Sequence, residues 1–269
     1  MTRIHTKAPL PTLFLSHGSP MHALEPGAVR GVWERVARAL PRPKAILIAS
    51  AHWETDIPAL TGGAKPETIH DFYGFPAPLY QIRYPAPGAP GVAARAMQLL
   101  EQENLNAVAD AGRGLDHGAW SPLLYMYPDA DVPVVQVSVQ TRLGPKHHLA
   151  LGRALAPLAH EGVLVLGSGH MTHNLRERRG DGAPPFPYVK EFQAWVHHRI
   201  EEKDFDALND YRARSPGGAR ASDRRAFPAA VRGARRRGPR LSRRTPVRRH
   251  RIRVARNGRV PLRSGLIPV

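Results

Sequence analysis

The sequence predicts an α/β fold, a single layered domain whose central, mostly parallel sheet is flanked by helices. Three observations predict it. Four short apolar runs rich in branched residues are spread over the first 170 residues. Stretches with helical periodicity alternate with them, and strand–helix alternation is the signature of a layered α/β domain. The runs are nearly continuous rather than alternating, which suits strands covered on both faces.

In order, residues 11–16 read as the first strand and the stretch near 27–40 as the first helix. Residues 44–50 form a second, buried strand. Residues 61–88 hold five prolines and several aromatics without a period, and read as a long ordered loop; loops of that length are commonly functional. Helical patterns follow at 89–103 and 119–127, the latter opened by Asp116, whose carboxylate suits an N-cap. A third strand is expected at 132–138, a helix at 145–160, a fourth strand at 162–168 and a helix at 186–203. No internal repeat is present.

The charge is unevenly placed. The 269 residues carry a formal +17, and residues 216–269, with 17 arginines, one acid and no lysine, account for +16 of it. Residues 1–215 are therefore a nearly neutral globular chain. The 216–269 tail has no apolar pattern and is expected to be disordered; as a basic arm for nucleic acid it lacks interleaved aromatics or a recognised motif. The absence of cysteine excludes disulfides, thiolate zinc sites and cysteine nucleophiles. No apolar run is long enough to span a membrane, and the first ten residues lack a secretory stretch, so a cytoplasmic protein without a membrane partner is expected.

Histidines cluster where ligands bind open α/β sheets, beyond the carboxyl ends of strands. His17 follows the first strand, His52 the second, and His170 and His173 the fourth. One histidine at a strand end is more often a hydrogen-bonded structural residue, but imidazoles from three strands at one edge suit a mononuclear Fe, Zn, Cu or Ni site. His117, just after Asp116, is expected to point into the same cleft. His147 and His148 read as solvated on a surface helix, and His22, His70 and His160 stay open. There is no Walker loop, no HExxH and no zinc-finger spacing, and Gly167-Ser-Gly169 is too short for a dinucleotide fingerprint. Ser16 and His17 are not a dyad, because neighbours on an extended segment point apart.

Five strings carry a resemblance: FLSHGSPM (14–21), LPRPKAILIASAHW (40–53), IHDFYGFPAPLYQIRYPAPG (69–88), LDHGAWSPLLYMYPDADVPVVQVSV (115–139) and THNL (172–175). Over about residues 11–214 the chain resembles the DODA-type (DOPA dioxygenase) branch of the class III extradiol ring-cleavage dioxygenases. The resemblance implies a non-haem Fe(II) enzyme, with Zn(II) in some bacterial members, that opens a catechol ring with O2. It implies His17 and His52 as metal ligands and His173 as a third ligand or acid–base. His117 would be a catalytic histidine facing the substrate, and His170 falls where relatives vary. An iron centre with open positions can take both catechol oxygens and O2 side by side. The rivals are a zinc-bound hydrolase, or an inactive metal binder, on the same scaffold.

The chain departs from the family near its end. The family's last motif, of the form HPTxEHxLPL, supplies a further metal-site residue and is missing; the arginine-rich tail begins in its place. Reading one base later from Ala221 to Ala234 permits HPTDEHFLPLFVAL, and from Ile252 to Val260 permits YGSLAMDAY. The expected organisation is thus a catalytic domain over 1–215, incomplete at its C-terminus, followed by an out-of-frame tail over 216–269.

Overall fold

The computed structural model describes residues 8–174, 177 and 184–218. The reading of the tail as out of frame and disordered lies outside the described residues from position 219 onward. Among the described residues, β1 (Leu13–Ser16), β2 (Ala45–Glu54), β3 (Ala59–Thr61), β4 (Val108–Asp110), β5 (Val134–Val139) and β6 (Val163–Gly169) form one sheet in the order β1-β6-β2-β5-β3-β4. The β1/β6, β6/β2, β2/β5 and β3/β4 pairs are parallel, while β3 meets β5 antiparallel.

Side chains of a strand alternate between faces, and here both faces are buried. Ile46 and Ile48 of β2, with Leu164 and Leu166 of β6, enter a core shared with α1 (Gly27–Ala39) and α3 (His117–Met126). Leu47 and Ala49, with Val163 and Val165, enter a second core closed by α2 (Pro90–Glu101) and α4 (Gly144–Leu155). That two-sided burial is why these strands read as unbroken apolar runs. Each fully buried aliphatic side chain is worth about 1.5–3 kcal/mol. A third, smaller core gathers Phe192 and Val196 of α5 (Pro187–Glu202), Phe205 and Leu208 of α6 (Phe205–Asn209), and Tyr211 of α7 (Tyr211–Arg214). No helix among the described residues is long and apolar enough to cross a membrane.

Several elements differ from the sequence reading. β3 and β4 have three residues each, and β4 is exposed throughout, so neither leaves an apolar run to detect. β2 continues to Glu54, and its register against β5 shifts between Ala49 and Glu54, so His52 lies inside the strand rather than after it. His148 is buried rather than solvated. Its Nδ1 bonds the Gly144 carbonyl at 2.7 Å and its Nε2 accepts the Gln140 amide at 3.0 Å, so burial leaves neither ring nitrogen unpaired.

The 61–88 segment is largely irregular, broken by one 3-10 turn over Ala77–Gln81. It is tied down by bridges from Thr68 to Leu115 and from Gly88 to Val134. The Tyr84 hydroxyl donates to the Tyr127 carbonyl at 2.9 Å, and the Trp120 indole donates to the Ile69 carbonyl at 2.9 Å. These bonds satisfy groups that a long buried loop would otherwise leave unpaired.

Candidate metal centre

Because β6 lies between β1 and β2, the carboxyl ends of these three strands adjoin. His17 follows β1, His52 sits near the end of β2, and His117 opens α3, which packs over the same edge. His17 and His117 are buried. One ring nitrogen from each of His17, His52 and His117 lies within 4.8 Å of the other two. The Nε2 atoms of His17 and His52 are 3.0 Å apart.

The local sequence explains how each ring is held. Pro122 stands inside α3 and has no amide hydrogen, so the Gly118 carbonyl four residues earlier lacks its helical partner. The Ser168 hydroxyl fills that gap, donating to the Gly118 oxygen at 2.5 Å. With its hydrogen spent there, Ser168 accepts from Nδ1–H of His17 at 2.9 Å, which leaves Nε2 of His17 as a bare lone pair. His117 is held by Asp71, whose Oδ2 accepts from its Nδ1–H at 2.9 Å and whose Oδ1 accepts from its backbone N–H at 2.9 Å. Nδ1 of His52 lies 3.5 Å from the same Oδ2. Beneath them, buried Asp116 caps α3 by accepting from the Ala119 amide and is bonded by the Gln136 side-chain amide, tying the start of the helix to β5.

The electrostatics favour a cation over a proton. Burial, reinforced by the charges of His170, His52, His117 and His173, holds the His17 imidazole well below its usual pKa. Burial and the charge of His117 push His52 down to about 3, against the opposing pull of Asp71. Burial works to raise the Asp71 carboxyl, but the hydrogen bonds and charge of His117, with the charge of His52, together outweigh it and leave the group below its ordinary value. At 3.0 Å the bare Nε2 of His17 either accepts a hydrogen from Nε2 of His52 or shares a cation with it, and neutral imidazole is the form that ligates metals. The residues present therefore fit a divalent transition-metal ion.

Over residues 11–235 the chain matches the family described as the catalytic LigB subunit of aromatic ring-opening dioxygenase. The chain belongs to this family. It is 44% identical over 214 residues to a 4,5-DOPA dioxygenase extradiol of Beta vulgaris, covering 76% of this chain and 78% of the relative. It is 43% identical over 188 residues to a protein of the same name from Escherichia coli (strain K12), covering 70% and 69%. The crystal structure of an uncharacterized protein from Escherichia coli K12 superposes with a TM-score of 0.69 at 33% identity, over 84% of this chain and 88% of that one.

Within this LigB-family chain the expected histidines fall into two groups. His17, His52 and His117 share one point, as above. The His170 ring centroid is 5.2 Å from that of His17, and the His173 centroid is 5.9 Å from that of His170. His173 thus stands next to His170, within electrostatic reach of His17 and His52 but outside the group of three nitrogens. Aromatics of the 61–88 loop reach the centre, with Phe72 edge-on to His117 at 5.6 Å and Tyr80 5.2 Å from Phe72.

Sequence reasoning missed Asp71 and Ser168. Asp71 lies in the segment read as a long ordered loop, where its signal is a lone acid among aromatics; Ser168 lies in the Gly-Ser-Gly too short for a dinucleotide fingerprint. Gly118 was missed as well. A Cβ there would sit 2.4 Å from Ser50 Oγ and 3.0 Å from His52 Cδ2. Gly118→Ala is therefore expected to cost about 1–3 kcal/mol through overpacking, despite the ~1 kcal/mol alanine usually gains over glycine in a helix. Thermal unfolding checks this; an unchanged or raised Tm would contradict the close packing around His52.

Proposed function

We propose that this LigB-family chain is an extradiol dioxygenase that opens the ring of a catechol with O2, at Fe(II) held by His17 and His52. The observation that carries the reading is the meeting of three imidazole nitrogens within 4.8 Å in a chain 44% identical to a relative named for extradiol cleavage of DOPA. The substrate class proposed is accordingly a catechol bearing an amino-acid side chain. Small-molecule substrate and O2 are the partners, with cytoplasmic action and neither membrane nor nucleic acid involved.

Fe(II), when bound, would supply open positions for vicinal hydroxyls and the electron donation that O2 chemistry requires, which favours it over Zn(II). The chain's own residues do the rest. His17 and His52 offer uncharged nitrogen donors because burial disfavours their protonation. His117, edge-on to Phe72 and with its ring centroid 5.2 Å from that of His17 and 4.0 Å from that of His52, completes the donor set or meets the substrate. His173 is proposed as third ligand or as acid–base, its ring nitrogen taking a hydroxyl proton as the diol binds. Phe72 and Tyr80 offer aromatic faces to the incoming ring.

The test is oxygen uptake by protein loaded anaerobically with Fe(II) or with Zn(II), then given L-DOPA or simple catechol in air. Uptake with Fe(II) only, accompanied by a yellow ring-opened product, is expected. Absence of uptake with Fe(II), or hydrolase activity with Zn(II), would overturn the assignment.

A further inference from the structure

We propose that Asp71 is a positioning residue of this centre, a single carboxylate that sets the ring orientation and tautomer of His117 and braces His52. The inference rests on the metal-centre reading of the histidines and goes one layer outward from it.

Asp71 comes from the 61–88 loop, 46 residues before His117, and both of its oxygens are committed. Oδ1 accepts the His117 backbone N–H at 2.9 Å, Oδ2 accepts the His117 Nδ1–H at 2.9 Å, and Oδ2 also stands 3.5 Å from Nδ1 of His52. Its side chain is only 19% exposed, so water competes weakly. Simple helix capping does not account for this arrangement. Asp116 already caps α3, and a cap needs only backbone donors, whereas Asp71 spends its second oxygen on imidazole. A carboxylate can only accept, so the proton of His117 must sit on Nδ1, and Nε2 remains the basic nitrogen. Partners of this kind fix the tautomer and raise the basicity of metal-ligating histidine.

The sharp consequence concerns Asp71→Asn. The backbone N–H of His117 cannot be reversed, so the carboxamide oxygen turns to it and the NH2 faces Nδ1. Nδ1 must then accept, and the ring proton moves to Nε2, which closes that nitrogen to a cation. Asp71→Ala removes the constraint without imposing the wrong tautomer. The near-isosteric substitution is therefore expected to be the more harmful one, the reverse of what a packing role would produce.

The experiment uses the full chain, labelled with 15N-histidine and free of metal, and reads tautomers from two-bond 1H–15N correlations; the His117 signals are those lost in His117→Gln. Expected are Nδ1-protonated His117 in the wild type and Nε2-protonated His117 in Asp71→Asn. Zn(II) affinity, measured by competition with a chromophoric chelator, is expected to fall about 10–100-fold in Asp71→Asn and by less in Asp71→Ala. Wild-type His117 protonated on Nε2, an unmoved proton in Asp71→Asn, or tighter Zn(II) binding by Asp71→Asn than by Asp71→Ala would each overturn the proposal. If Asp71→Asn fails to fold, the wild-type spectrum decides. A wild-type chain that binds no Zn(II) would sink the metal reading, while the tautomer measurement would still judge Asp71.

Discussion

His17→Ala is expected to lower the affinity of the chain for a divalent transition metal by roughly 100-fold or more and to remove oxygen uptake with it. The reasoning starts from position. His17 is buried and its Nε2 faces Nε2 of His52 at 3.0 Å, so no other donor can move into its place without displacing packed neighbours. Structural metal sites draw about 10–16 kcal/mol from four ligands, or about 3 kcal/mol each, and 1.4 kcal/mol is tenfold in affinity. The fold should suffer less than the site. Ser168 keeps its bond to the Gly118 carbonyl, so its buried hydroxyl donor is not orphaned. A chelator competition, an oxygen electrode and a thermal melt of the metal-free protein check the three statements. Metal affinity within about threefold of wild type would show that His17 is not a ligand.

A chain recoded so that the segment from Ala221 is read one base later is expected to bind metal more tightly than the chain as it stands, again by roughly 100-fold, and to turn over catechol faster. The permitted string HPTDEHFLPLFVAL would supply the metal-site residue that the family resemblance implies and the apolar positions that the arginine-rich version lacks. Added burial should also raise stability. About 1 kcal/mol shifts Tm by 2–4 °C in a domain of 150–250 residues, and burying two or three further aliphatic side chains is worth several kcal/mol, so a rise of about 10 °C is the expected scale. Equal metal affinity and equal Tm in the two chains would reject the frame-shift reading and leave the basic tail as a feature to be explained on its own. The nucleotide sequence across codons 210–225 tests the premise directly.

The central strands were legible because β2, β5 and β6 are covered on both faces and so appear as apolar runs; Ile46, Leu47 and Ile48 are all buried. β3 and β4 were not, since three residues make no pattern and β4 buries nothing. His17, His52 and His117 could be singled out because strand ends and a helix start announce themselves locally. Asp71 and Ser168 could not. They meet their histidines across 46 and 151 residues of chain, and no local period encodes such a contact.

By itself the amino-acid sequence determined the alternation of strands and helices, the neutral body with its basic tail, and the histidines available to a metal. Only the tertiary structure decided that β6 inserts between β1 and β2. It also decided that His117 joins His17 and His52 while His173 stands beside His170, and that one loop carboxylate serves two rings. The physical reason is that periodicity reports which face of an element is buried, whereas ligand geometry depends on hydrogen bonds closed between segments far apart in the chain.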